Sequence, residues 1–128
     1  MHRPHFDAAW SRFSEVNVSV MAVGRKLGGK VAQNIASGIF QNACPIRMSY
    51  VLNYSALPST RIPRSGYAVV SGADGFWYMF RVGEMMSFLE RLFGQADKVA
   101  SSPSPQDFFG MRGIVVVKGQ VGVTLEGT

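Results

Sequence analysis

An α+β domain is what the pattern of this chain predicts, and three observations carry the prediction. Apolar residues recur at helical spacing through the first half, strand-like runs rich in aromatic and β-branched residues gather in the second, and one strongly amphipathic helix lies among those strands. At 128 residues, 47% of them hydrophobic, the chain reads as one domain over residues 1–128, long enough to bury a real core.

The elements follow in order. Residues 7–14 form a short helix with Asp7 as N-cap and Phe6, Ala9, Trp10 and Phe13 on its aromatic face. Residues 16–27 form a second, carrying Val16, Val20, Val23 and Leu27, and Gly28-Gly29 stops it. The neighbouring Lys26 and Lys30 do not make a phosphate loop, because no Gly-Lys-Ser/Thr motif follows. Residues 31–40 then lead towards the only cysteine, with Gly38 as a bend. Residues 44–54 are helical, with Ile46, Tyr50 and Tyr54 on one line and Met48, Val51 and Leu52 beside them. So broad an apolar surface belongs to a helix buried between layers.

Leu57-Pro58 ends that helix, and residues 59–66 read as an exposed loop whose Arg61 and Arg64 are either solvated or in contact with carboxylates. Residues 67–71 and 76–82 are strand-like on either side of a Gly72-Ala73-Asp74-Gly75 turn. The aromatic run 76–80 reads as sheet packed on both faces. Residues 82–93 are the amphipathic helix, with Val82, Met85, Met86, Leu89, Leu92 and Phe93 inward and Gly94 as its cap. Residues 101–105 form a Ser/Pro loop, and residues 114–117 and 121–125 pair as strands through Gly119-Gln120.

Cys44 is the candidate for chemistry. Pro45 suits the first helical position, where its missing N–H has no partner to lose, which makes Cys44 the N-cap. A thiol at a helix N-terminus faces unpaired N–H groups and the positive end of the dipole, both of which favour its ionised, nucleophilic form. Gln41 and Asn42 stand ready to position a substrate amide or to donate to an oxyanion. The competing reading is a buried structural cysteine. His2 and His5 are the only histidines, and neither has a carboxylate pattern beside it that would suggest a catalytic base or a metal ligand. No metal and no cofactor is expected.

Along the chain, Arg3-Pro4, Phe6, Ala9-Trp10, Val20, Gly28-Gly29, Asn34-Ile35, Gly38, the run 40–53, Val70-Ser71-Gly72-Ala73-Asp74, Arg81-Val82, Asp107-Phe108 and the run 113–119 keep one order. In that order the chain resembles the type VI secretion amidase effectors of the fourth family over nearly its whole length. The resemblance implies a papain-like fold of the cell-wall cysteine peptidase type, its nucleophile helix packed on a small antiparallel sheet. It implies an antibacterial toxin that hydrolyses the γ-D-glutamyl to diaminopimelate amide bond of peptidoglycan, with Cys44 as nucleophile. The implied partners are the peptidoglycan stem peptide, a cognate immunity protein and components of the secretion tube.

One position departs from that pattern. In the family a Gly-His-Val-Thr-Leu strand supplies the base histidine and a later Asp orients it, whereas this chain reads Val121-Gly122-Val123-Thr124-Leu125, with Gly122 at the histidine position and no Asp before Thr128. The expectation is a C-terminal end with its strands incomplete, residues 121–125 left as an open edge, and little or no amidase activity. The alternative function is a catalytically inactive homologue that keeps a binding role towards an immunity protein or a cell-wall peptide.

The net charge of +5, from 13 basic and 8 acidic residues, would favour an acidic partner, but the basic residues are scattered. Without a dense basic patch a nucleic-acid partner is not expected. No apolar run approaches the ~18 residues of a spanning helix, and the N-terminus lacks the apolar core of a signal peptide, so no membrane insertion is expected. The expected route begins in the cytoplasm and ends, through type VI secretion, in the periplasm of a target bacterium. A single cysteine excludes an internal disulfide.

Overall fold

The computed structural model describes residues 6–40, 42–55, 57–96, 106, 111, 113–117 and 120–124. Within them the chain forms α1 (Phe6–Val16), α2 (Val20–Leu27), α3 (Gly29–Ala36), α4 (Cys44–Tyr54), a 3-10 turn (Pro58–Thr60), β1 (Val69–Ser71), β2 (Trp77–Met79), α5 (Val82–Phe93), β3 (Gly113–Val117) and β4 (Gln120–Thr124). The α+β class holds. Among the described residues the small antiparallel pairing takes the form of two hairpins: Val69 lies opposite Met79 and Ser71 opposite Trp77 in the first, Gly113 opposite Thr124 and Val117 opposite Gln120 in the second.

Helix α4 sits between two apolar clusters. Met48, Val51 and Leu52 face one, with Ala9, Ile62, Met79, Met85, Phe88 and Leu89. Ile46 and Tyr50 face the other, with Val16, Val23, Leu27, Val31, Ile35, Phe40 and Tyr78. The two lines of apolar residues read from the sequence thus serve two different cores. β2 divides in the same way by its two-residue period, sending Tyr78 to one cluster and Trp77 and Met79 to the other, as a sheet packed on both faces must. Each fully buried Val, Leu, Ile or Met contributes on the order of 1.5–3 kcal/mol, and α4 is the element that lends such residues to both clusters.

Local chemistry moved several boundaries. Asp7 lies in the first turn of α1 rather than before it, where its charge still opposes the helix dipole. Val16 closes α1, fully buried, and α2 begins later because the Ser19 hydroxyl accepts the Ala22 N–H at 3.2 Å and caps the new helix. The 59–66 segment is not uniformly exposed, since Thr60 and Ile62 are buried. Gln120, expected in the last turn, is the first residue of β4. Helix α5 and its Gly94 cap, at φ +81°, have the expected bounds. The 101–105 loop lies outside the described residues.

Gly28 and Gly29 do stop α2, and their reason is a contact. Both have positive φ, +65° and +60°, and a Cβ on Gly29 would stand 2.8 Å from the Ala73 nitrogen and the Gly72 carbonyl carbon. The Ala73 N–H donates to the Leu27 carbonyl at 2.8 Å. The α2–α3 corner therefore docks backbone to backbone on the β1–β2 turn, which only glycine permits.

Candidate active site

Pro45 starts α4 as expected, but one position further in. Ala43 is the N-cap, Cys44 the first helical residue and Pro45 the second. The shift costs nothing at Pro45, because the N–H groups of the whole first turn lack helical partners. Cys44 carries a free thiol, half-buried beside the cluster that holds Met48, Met79 and Phe88.

The first turn is fastened from several directions. The Asn42 side-chain oxygen accepts the Cys44 N–H at 3.0 Å, and the Arg47 N–H donates to the Ala43 carbonyl at 2.8 Å. Unpaired N–H groups around the thiol are consequently fewer than the sequence suggests: Cys44's is bonded, Pro45 has none and Arg47's is bonded. The Arg47 guanidinium reaches back to the Val16 and Val18 carbonyls, at 3.0 and 2.6 Å, and so ties the α1–α2 connection to α4. Ser49 donates to the Pro45 carbonyl at 2.8 Å and accepts the Met79 N–H at 2.9 Å, which fixes the first turn against β2.

Asn42 is exposed, and its oxygen holds the backbone of Cys44. Gln41 lies outside the described residues, as do His2 and His5. Gly122 is the central residue of β4, opposite Val115, and β4 packs on α4 and α1. The strand that by resemblance carries the base thus lies against α4, with a residue at that position that has no side chain. Arg61 and Arg64 are exposed, their guanidiniums 5.2 Å from the Phe76 ring and 5.4 Å from the Trp77 ring. Arg61 also lines a groove of about 360 Å³ between the 59–65 segment and α5, whose lining does not include Cys44. Among the described residues no three His, Cys, Asp or Glu side chains gather as a metal site requires.

The C-terminal half of α4 carries polar residues the sequence reading passed over. The Asn53 side chain donates to the Trp77 carbonyl and accepts the Ile62 N–H, both at 2.9 Å, and the Thr60 hydroxyl donates to the Leu52 carbonyl at 2.8 Å. The Tyr50 hydroxyl donates to Glu15 at 2.6 Å, and the Tyr54 and Tyr78 hydroxyls to Asp74 at 2.6 and 2.5 Å. The bond from Tyr50, more than the neighbouring cations, holds the Glu15 carboxyl below its usual range. Burial, reinforced by the carboxylates, pushes Tyr50 and Tyr54 up to about 12 and Tyr78 further. The available signal was a serine and an asparagine within an otherwise apolar helix, since buried polar side chains must find partners.

Residues 40–124 match the family model described as type VI secretion system (T6SS), amidase effector protein 4, a span that includes both Cys44 and Gly122. Compared with curated protein sequences the chain finds no match. Among solved structures it is similar to the Tae4 effector of the Tae4/Tai4 effector–immunity system from Salmonella typhimurium, at 43% identity and a TM-score of 0.88 over 99% of this chain and 86% of that one. It is also similar to the Tae4 of the Enterobacter cloacae effector–immunity complex (49% identity, TM-score 0.84, 99% and 82% of the two chains) and to Tae4 from Enterobacter cloacae alone (49%, 0.85, 99% and 83%).

Proposed function

The chain belongs to the type VI secretion amidase effector 4 family, antibacterial toxins that act on peptidoglycan, and we propose that Cys44 is the nucleophile with which it opens the γ-D-glutamyl to diaminopimelate amide bond. The observation that carries this reading is the placement of the one cysteine, half-exposed at the head of a helix that the rest of the fold immobilises. In the first step the Cys44 sulfur bonds to the γ-carbonyl carbon, the C–N bond breaks, and the diaminopimelate amine leaves with a proton, giving a thioester. Water then attacks the thioester, releasing the γ-carboxylate and the free thiol.

The proton that the amine needs is the weak point of the sequence. By resemblance a histidine on the strand packed against α4 would carry it, and Gly122 has no group to do so. General acid–base catalysis contributes about 10²–10⁴-fold, so turnover by this chain is expected to be slow. Similarity to effectors solved with Tai4 supports an immunity protein as the partner that neutralises the toxin, and family membership implies delivery into target bacteria. The periplasm is the proposed destination, because the peptide stems lie there. No helix among the described residues is long and apolar enough to cross a membrane.

The test is to incubate the chain with the tetrapeptide L-Ala-γ-D-Glu-diaminopimelate-D-Ala and follow L-Ala-D-Glu by mass spectrometry. Slow release that disappears in Cys44→Ala is the expected result. Release at the same rate in Cys44→Ala would overturn the assignment.

A further inference from the structure

The groove between the 59–65 segment and α5 has a composition that the proposed chemistry at Cys44 does not use. Phe88 and Leu92 of α5, with Pro63, form its apolar floor, and Arg91 stands on the same helical face, three residues after Phe88. Arg61 faces it from the other wall. Neither guanidinium makes an ion pair with a carboxylate among the described residues, although both are exposed. Stacking over Phe76 restricts where the Arg61 guanidinium can point. Two arginines with no carboxylate partner among the described residues, over an apolar floor, are a match for an anion with planar oxygens, because a guanidinium fork bonds a carboxylate through two parallel N–H groups.

We propose that this groove binds a free carboxylate of the peptidoglycan stem peptide, as a docking point at the end of α4 away from Cys44. The proposal rests on the peptidoglycan reading above. A volume of about 360 Å³ suits a few peptide residues rather than the broad surface a protein partner buries. The stem peptide has the complementary charge: a γ-linked glutamyl residue keeps its α-carboxylate free, and diaminopimelate carries carboxylates of its own. Arg64, which stacks on Trp77 and does not line the groove, is the internal control.

Binding of L-Ala-γ-D-Glu-diaminopimelate to the full chain carrying Cys44→Ala, measured by titration calorimetry, tests it, with the fully amidated tripeptide as comparison. Arg61→Gln and Arg91→Gln should each weaken binding of the acidic peptide about fivefold and leave the amidated peptide unaffected, while Arg64→Gln changes neither. Affinity insensitive to Arg61 and Arg91 would overturn the groove, as would an equal loss with Arg64→Gln or failure of the acidic peptide to bind more tightly than the amidated one. Because Cys44-dependent cleavage is read separately, amide hydrolysis with arginine-insensitive binding would remove this proposal and leave the assignment of Cys44 standing.

Discussion

At its C-terminal half α4 is joined to other elements by side chains bonded inside the core, whereas its first turns, although tied to β2 by Ser49 and to the α1–α2 connection by Arg47, leave Cys44 at the tip beside the exposed Asn42. Asn53 bridges the Trp77 carbonyl and the Ile62 N–H, and Thr60 reaches the Leu52 carbonyl, all inside the core. At the other end Cys44 is only half-buried, and the bond from Asn42 spans two residues. A buried polar bridge left without its partner costs the full desolvation of each orphaned group, while a local cap near water can be replaced by solvent. Both ends are therefore anchored, but the polar bridges of one are buried, whereas the tip of the other presents a half-buried thiol.

The largest effects should appear at the N-terminal end and in rate alone. Cys44→Ala should abolish amidase activity while changing the denaturation midpoint little, and Gly122→His should raise the hydrolysis rate by about 10²–10⁴-fold if an imidazole on β4 reaches the thiol and the leaving amine. A Gly122→His variant that folds and shows no gain would break the assignment of that position to the base. At the opposite end the effect should be on stability. Asn53→Ala strands a carbonyl and an N–H in the core and is expected to cost about 3 kcal/mol in urea unfolding. A cost below about 1 kcal/mol would erase the distinction between the two ends.

Smaller changes refine the comparison. Gly29→Ala forces a side chain into positive φ and onto the 72–73 backbone, and about 2 kcal/mol of lost stability is expected. Asn42→Ala should lose about 1 kcal/mol, the range of a helix cap, and should lower thiol alkylation or hydrolysis more than any comparable loss at Ser19.

The smallest effect is in pH. The Glu15 carboxyl is lower in the folded chain than its ordinary value of 4.5, so its contribution is present above that value and fades as pH falls through the folded pKa. Tyr50 is raised to about 12, so its contribution is complete below its ordinary value of 10.0 and is lost as pH rises towards about 12. Tyr50→Phe should flatten both limbs of a melting temperature against pH profile; an unchanged acid limb would mean that the bond between Glu15 and Tyr50 does not persist in solution.

What the sequence determined by itself are the features that short-range chemistry sets. The period of 3.6 residues drew α5 to its observed bounds, glycine at positive φ ended α2 and α5, and proline placed the start of α4 within one residue of Cys44. The order of residues from Phe40 onward also carried the family, and by resemblance the proposal that Cys44 is the nucleophile. Tertiary structure alone decided which distant pieces meet. Gly28-Gly29 and Gly72-Ala73-Asp74 stand far apart in the sequence, and only the folded chain shows that they are two sides of one contact. The same holds for Asn53 and for the bond that Ser49 accepts from Met79, whose partners lie far along the chain, and for Arg61 and Arg91, whose groove exists only once α5 packs beside the 59–65 segment. Capping, periodicity and turn conformation act over a few residues and are written locally. A buried hydrogen bond or a groove depends on where the chain returns to itself, and that is fixed by the packing of the whole.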